Sequence, residues 1–552
     1  MAAANAAIYY QHDAFTTELA KLMGRNAAGA GFLTGFARHA DAERFIGYAR
    51  SKEEFRRFEA HMAAQAKKPC AWIPHGDLAA LAEAEALFVY APGVSEFCWQ
   101  RRFLSDTAYS VVGLTHTISS DRVMEDFGNL LVAPVEPWDA LVCTSQAVKR
   151  TLDGVLAGWG EYLAERFGAQ APAPRLRLPV IPLGVDCDAF PQGEAAARLR
   201  AQWRKRHAIG ESEVAFMFLG RLSFHAKAHP LPMYLALEAA AARTKRKLVF
   251  VLAGYFFNDS IRREFLEGAR RYCPSVRLAH VDGRKPQERA GAWAGADVFT
   301  SFSDNIQESF GLAPVEAMAA GLPAVVSDWD GYRDTVVDGE TAICIPTAMP
   351  EPGHGAELAL RYLAGLDTYD LYIGNAGQCT AVDVGAATDA YLSLIEDASL
   401  RRRMGEAGRE RARRVFDWSV IVREYQALWA ELAEARRSQP ARPGRAHPLR
   451  DDPFRVFRAF PSFAIGSATL VERACADPKA ETARIAAAGM NSFALKFMLG
   501  REEFERLFAA LGPGARLAAG ELEALYPPAR RGALMRSLGW LAKGGIVKIR
   551  TP

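Results

Sequence analysis

Short apolar runs recur along most of the chain, each bounded by turn or polar residues and separated from the next by a stretch of helical period. Ala7–Tyr10, Phe45–Tyr48, Ala71–Pro74, Leu87–Tyr90, Tyr109–Leu114, Asp139–Cys143 and Val180–Asp186 form a first series. A second begins at Val214 and takes in Phe216–Leu222, Leu248–Gly254, Val276–Val281, Ala296–Phe302, Pro323–Asp328 and Ala342–Pro346. Runs of this length without polar alternation predict strands covered on both faces, the habit of parallel sheets. Alternation with helices makes each series a row of βα units. The chain therefore predicts an α/β architecture of two doubly wound domains facing a cleft.

Past Pro346 the pattern lapses. Residues 347–383 carry many turn formers and read as an insertion, after which Tyr391–Asp397 and Met404–Ala412 are helical. Phe416-Asp417-Trp418 then leads into a long amphipathic helix from Ile421 to Ala435. Residues 436–453 are rich in proline and arginine and read as a linker. Beyond it, Glu502–Phe508, Gly520–Leu525 and Arg530–Leu541 read as helices and Ile546–Ile549 as a strand. That is a winged-helix-like layout for a small, mainly helical domain. The expected organisation is a first domain over 1–195, a second over 196–412 and a closing helix over 413–435. The linker over 436–453 and an accessory domain over 454–552 follow.

Composition adds exclusions. A chain of 552 residues that is 50% hydrophobic and 24% charged can bury several cores. Its net charge of +3 argues against a polyanion-binding protein, so no nucleic-acid partner is expected despite a modest basic excess in the accessory domain. Eight scattered cysteines without a Cys-x-x-Cys read as reduced thiols, not as a disulfide framework or a zinc site. No apolar run reaches membrane-span length, and Met1–Asn5 lacks the basic start of a signal peptide, so a cytoplasmic location is expected.

The candidate chemistry centres on Asn305–Gly321. Glu308 falls in a loop and Glu316 about one turn into the following helix, with Pro314 in its first turn, where a missing N–H costs little. The free N–H groups of Gly311, Leu312 and Ala313 point out between the carboxylates, and a helix N-terminus beside a glycine is an anion site. Carboxylates flanking an anion site suit a ligand with a charged centre and hydroxyl-rich ends. Upstream, Gly220-Arg221-Leu222 ends an apolar run, and Lys227 follows. An arginine fork and a lysine point charge together can neutralise a diphosphate. The run Tyr109–Leu114 ends on Thr115-His116-Thr117, and glycines cluster after the first strand, from Met23 through Gly29 and Gly31 to Leu33.

These segments, in this order, resemble the Glu-x7-Glu signature and its surroundings in retaining glycosyltransferase family 4, which has the GT-B fold of two Rossmann-like domains. The resemblance covers residues 7 to about 435 and is dense between 213 and 346. It implies transfer of a hexose from a nucleotide-sugar donor, UDP- or GDP-linked, to an acceptor hydroxyl with retention of configuration. Glu308 would then contact the donor sugar and Glu316 the ribose. Arg221 and Lys227 would stabilise the leaving diphosphate, and His116 would line the reaction side. Phe310, Gly311, Leu312 and Gly220 would complete the donor site, along with a Gly-rich loop holding Gly29 and Gly31. The Arg–Lys spacing departs by one residue from the family's, and Ala228 stands where a glycine is usual. No metal or other cofactor is implied, because the Arg/Lys pair takes a metal's place, and Asp186-Cys187-Asp188 is read as a chance Asp-x-Asp. The acceptor would be a glycan, a lipid-linked molecule or a small metabolite, with peripheral membrane contact open. The alternatives are a nucleotide-sugar epimerase or hydrolase on the same fold, or a catalytically silent nucleotide-sugar-binding module.

Overall fold

The structure, a computed structural model, describes residues 5–17 and 24–551. Met23, which heads the glycine cluster, and residues 1–4 lie outside the described residues. The chain divides into two compact units, Met1–His447 and Pro448–Pro552.

The first unit holds two six-stranded parallel sheets. One comprises β1 (Ala7–Tyr9), β2 (Phe45–Ala49), β3 (Cys70–Pro74), β4 (Ala86–Val89), β5 (Ser110–Leu114) and β6 (Ala140–Val142), in the order β3-β2-β1-β4-β5-β6. The other comprises β7 (Val214–Leu222), β8 (Leu248–Phe256), β9 (Arg277–Val281), β10 (Val298–Ser301), β11 (Ala324–Ser327) and β12 (Ala342–Ile345), in the order β12-β11-β10-β7-β8-β9. Both are the doubly wound order with helices on both faces, so each has one switch point, between β1 and β4 or between β7 and β10. Ligands bind outside the carboxyl ends of strands at such points, and the two switch points face one cleft. Strands β4, β5, β10 and β11 are buried throughout, as their unbroken apolar runs require.

Val180–Asp186 does not form a seventh full strand. Cys143 donates its N–H to Pro179 O (2.8 Å) and Ile181 donates to Cys143 O (3.1 Å), but Pro179 and Pro182 have no N–H to continue a ladder. Asp139, at the edge of β6, is locked by a fully buried pair with Arg101, whose Nη1 lies 2.5 Å and Nη2 2.9 Å from its carboxylate oxygens.

The glycine cluster is not a loop. Gly24–His39 is a single helix. A Cβ on Gly29 would sit 2.1 Å from the Ala14 carbonyl oxygen, so this glycine lets the helix lie against the preceding turn. Gly31 and Gly35, one helical turn apart, form with Gly184 a slot for the Trp418 indole, where added Cβ atoms would come within 3.3, 2.4 and 2.5 Å of it. Trp418 opens the helix Trp418–Arg437, whose Tyr425 and Trp429 pack on Phe32, Phe36 and Phe88 of the first domain.

Two further segments differ from their sequence reading. The insertion holds two helices, Ala356–Leu363 and Tyr369–Gln378, between the short antiparallel partners β13 (Thr347–Ala348) and β14 (Ala381–Val382). The supposed linker is docked along part of its length: Arg442 pairs with Glu136 (2.9 Å), Arg445 donates its N–H to Arg102 O (2.8 Å), and the His447 ring packs at a tilt against Trp99.

The second unit is a three-stranded antiparallel sheet with helices over it. The central strand, β15 (Leu470–Arg473), pairs with β16 (Arg516–Ala518) and β17 (Val547–Arg550). Helices Arg501–Ala510, Ala519–Glu523 and Pro528–Lys543 cover a core of Val471, Leu507, Leu522, Leu534, Leu538 and Ile546. The helix–turn–helix and final strand are those the sequence predicts; β15, which supplies the middle of the sheet from before the helices, is not.

Candidate active site

Facing carboxyl ends of the two sheets enclose a cavity of about 280 Å³. Its lining includes His116, Gly220, Arg221, Lys227, Glu308, Phe310, Gly311, Leu312 and Glu316. Of the residues singled out in the sequence, only Gly29 and Gly31 are missing from this lining; both are packing glycines of the helix Gly24–His39. The start of that helix does contribute, through Gly24, Arg25, Ala27 and Ala28.

The helix Leu312–Ala320 begins at Gly311, which takes φ +88°, a left-handed conformation that glycine adopts without a steric penalty. A side chain there would also strike the Tyr332 ring at 2.2 Å. Space and backbone both require glycine at this N-terminus, which leaves the first N–H groups of the helix aimed at the cavity. Glu316, one turn further in, has its carboxyl pushed up to about 7 by burial, only partly offset by Arg289 and Lys227.

Across the cavity, Gly220 lies two residues before the end of β7, with φ +155°. Gly254 of β8 lies beside it in register, and a Cβ on Gly254 would fall 1.9 Å from the Gly220 carbonyl oxygen, so the strand ends approach closely here. Arg221 donates from Nη2 to Ala226 O (2.9 Å) and Gln307 Oε1 (3.0 Å), which fixes one edge of its guanidinium. Lys227 pairs with the Glu308 carboxylate. Burial, the largest single influence, would pull this ammonium's pKa down; the Glu308 charge, Tyr332 and the hydrogen bond to Glu308 together outweigh it and hold the pKa well above its ordinary value.

Asn305 organises the Glu308 loop. Its Nδ2 donates to His225 O (2.6 Å) and Ile373 O (3.4 Å), while its Oδ1 accepts from Gln307 N (2.9 Å). Buried Asp304, pushed up to about 7 by desolvation, accepts from His229 N at 3.3 Å. The start of the loop, at Asp304 and Asn305, is thereby tied to the segment that carries Lys227.

His116 faces the cavity from the first domain. Its Nε2 lies 3.2 Å from Tyr90 O, an acceptor only, so Nε2 carries the hydrogen. Burial lowers its pKa to about 4, and the ring is a neutral imidazole at physiological pH. Two bonds cross the cleft nearby: Ser145 Oγ donates to Ser309 O (2.9 Å), and Gln146 N donates to Asp334 Oδ2 (2.6 Å). Asp186 and Asp188 lie away from the cavity and pair with Arg38 (2.7 Å) and Arg413 (2.8 Å).

Sequence reasoning missed Gln307, Arg289 and Asn305. Gln307 sits inside the recognised stretch and was overlooked as an uncharged neighbour of Glu308. Arg289 sits on the helix Pro286–Gly295 with no local motif to mark it.

The family "Glycosyl transferases group 1" matches residues 200–356. A phosphatidyl-myo-inositol mannosyltransferase of Mycobacterium tuberculosis is 25% identical over 315 residues, spanning 55% of this chain and 69% of that protein. A D-inositol 3-phosphate glycosyltransferase of Kribbella flavida is 27% identical over 323 residues, 55% of this chain and 62% of its own. The crystal structure of Anabaena HepE in complex with UDP and glucose superposes with a TM-score of 0.50 at 14% identity, over 77% of this chain and all of its own.

Proposed function

Being a glycosyltransferase of the group 1, family 4-like type with the GT-B fold, this chain, we propose, moves a hexose from a UDP- or GDP-sugar to an acceptor hydroxyl with retention at the anomeric carbon. The observation that carries the reading is that Arg221, Lys227 and the Gly311 helix N-terminus line one cavity together with two carboxylates, Glu308 and Glu316. The cations and helix N–H groups suit a diphosphate, and the carboxylates suit hydroxyl-rich sugars.

In the reaction, the bond from the anomeric carbon to the phosphate oxygen breaks and its electron pair leaves on that oxygen. Arg221, Lys227 and the helix N–H groups are aimed where this charge grows, which is the kind of preorganisation that lowers a barrier most. The acceptor oxygen bonds to the anomeric carbon on the face the phosphate leaves, and its proton passes to the departing phosphate oxygen. Glu308, held by Lys227, orients the sugar hydroxyls; Glu316 accepts from the ribose; neutral His116 lines the reaction side without supplying a charge. Names of the two relatives make an inositol-type hydroxyl the first acceptor to try.

Proton NMR of the product tests this reading. From an α-linked donor the new linkage is expected to be α; a β-linked product overturns retention.

A further inference from the structure

We propose that a second cavity, at the amino end of the first sheet, binds a small phosphorylated polyol and clasps residues 442–445 to the first domain. The proposal does not depend on the transfer reading above, and it gives a role to a stretch that the sequence reads as a linker.

This cavity, of about 360 Å³, is lined in part by Arg102, Asp106, Glu136, Arg175, Arg442 and Arg445. Its volume falls in the range of small-molecule sites, roughly 300–1,000 Å³. Asp106 precedes β5 and Glu136 precedes β6, whereas His116 enters the candidate active site beyond the carboxyl end of β5. The two cavities share no lining residue.

Charge in the second cavity is unbalanced. Buried Glu136 takes two of the four arginines, with Arg175 Nη2 and Arg442 Nη1 each 2.9 Å from its carboxylate oxygens. The other two, Arg102 and Arg445, have no side-chain hydrogen bond or ion pair among the described residues; Arg102 lies over the Trp99 ring, and its Nε is sealed from solvent without a partner. Their backbones are joined, Arg445 N donating to Arg102 O at 2.8 Å, so both guanidinium groups start from one place. Gly444 permits that approach, since a Cβ there would fall 2.3 Å from Phe103 O.

Asp106 adds an acceptor. It is 9% exposed, pairs with no cation among the described residues, and its Oδ1 is sealed from solvent without a hydrogen-bond partner. A buried acceptor left without a donor is costly, which makes this carboxylate a place for a ligand's O–H.

These features select the ligand. Two unpaired guanidinium groups match a dianion, and an arginine fork takes phosphate oxygens in pairs. A phosphate monoester is a dianion above about pH 7; a diester carries a single charge. Phosphate alone offers nothing to Asp106, whereas a hydroxyl donates to it. A phosphate and a hydroxyl on one small skeleton make a phosphorylated polyol. Once seated, it joins Arg445 to Arg102 and Asp106, so occupancy of the cavity and docking of the linker favour each other.

Calorimetric titration and hydrogen exchange of the full chain at about pH 8 test this, with glycerol 3-phosphate, inorganic phosphate and glycerol as probes. Glycerol 3-phosphate should bind the wild type and slow amide exchange in peptides that contain Arg442 and Arg445. Inorganic phosphate should bind more weakly, and glycerol should give no signal. Arg445→Gln, at an exposed position, should weaken binding on the order of tenfold, the worth of one charge-assisted bond, at an unchanged melting temperature. Asp106→Asn should remove most of the preference for glycerol 3-phosphate over phosphate. Lys227→Ala, which alters the candidate active site, should bind as the wild type does. Absence of binding, or unchanged affinity in Arg445→Gln, would overturn the proposal. A loss confined to Lys227→Ala would overturn it too, by putting the anion in the other cavity. Equal affinity of the wild type for phosphate and glycerol 3-phosphate would overturn the polyol.

Discussion

Lys227 and Glu308 are bonded to each other, the ammonium from the loop after β7 and the carboxylate from the loop after β10. The sequence assigns them different jobs, one on phosphate and one on sugar; the structure makes them a pair. An ammonium has three donors, so it can hold Glu308 with one and a phosphate oxygen with another. On the proposed reading, the pair would set the sugar-binding carboxylate and the phosphate charge at a fixed separation.

Removing either partner should therefore harm both functions. Lys227→Ala leaves a largely buried carboxylate uncompensated and removes a cation from the leaving group. We expect kcat/KM for nucleoside diphosphate release to fall on the order of a hundredfold or more, with Glu308→Gln close behind. The double variant should be far less impaired than the product of the singles, as for residues that act as one unit. Kinetics of the three variants check this, and multiplicative losses would mean the two act independently.

Glu316 gives a pH signature. Its pKa of about 7 in the free protein means that it is largely protonated below neutrality. Ribose hydroxyls donate hydrogen bonds, which favour the ionised carboxylate and lower that pKa on binding. Nucleotide binding should release a proton between about pH 5 and pH 7, and affinity should rise with pH across that window. Titration calorimetry of UDP and GDP in buffers of different ionisation enthalpy measures the release directly. In Glu316→Gln the release should vanish.

His116 makes the opposite prediction. With its pKa near 4, it is neutral throughout the range in which the enzyme would be assayed. His116→Gln should lower the rate without moving any limb of the profile between about pH 5.5 and pH 8. A limb that disappears in the variant would show that the imidazole titrates during turnover.

How much of this the chain announces depends on how local each signal is. Buried parallel strands are nearly continuous apolar runs, so the twelve strands of the two sheets can be found by eye. The Glu308–Glu316 stretch is equally local. The glycine cluster misled because glycine supports two stories, a loop near a ligand or a close helix contact, and the residue that decides between them, Trp418, lies far along the chain. The helix Ala356–Leu363 is short and buries none of its residues; Leu360 and Leu363 stay exposed, so its apolar positions mark no packed face. The bond between the Ser119 and Tyr369 hydroxyls spans 250 positions and no local pattern could reveal it.

The corrected role of the glycines can be checked by stability. Gly29→Ala, with a Cβ only 2.1 Å from the Ala14 carbonyl oxygen, should cost about 1–3 kcal/mol in urea unfolding through forced rearrangement. Gly31→Ala, 3.3 Å from the Trp418 ring, should cost less. Donor affinity of the folded fraction should stay near wild type in both, whereas a glycine that cradles phosphate would lose affinity first.

The most direct measurement for the account as a whole is nucleoside diphosphate release from UDP-, GDP- and ADP-sugars by wild type and Glu316→Ala. The account predicts slow turnover of a UDP- or GDP-sugar by the wild type, lost in the variant. Absence of turnover and of any thermal shift with every donor would contradict it and leave the cavity as that of a silent binding module.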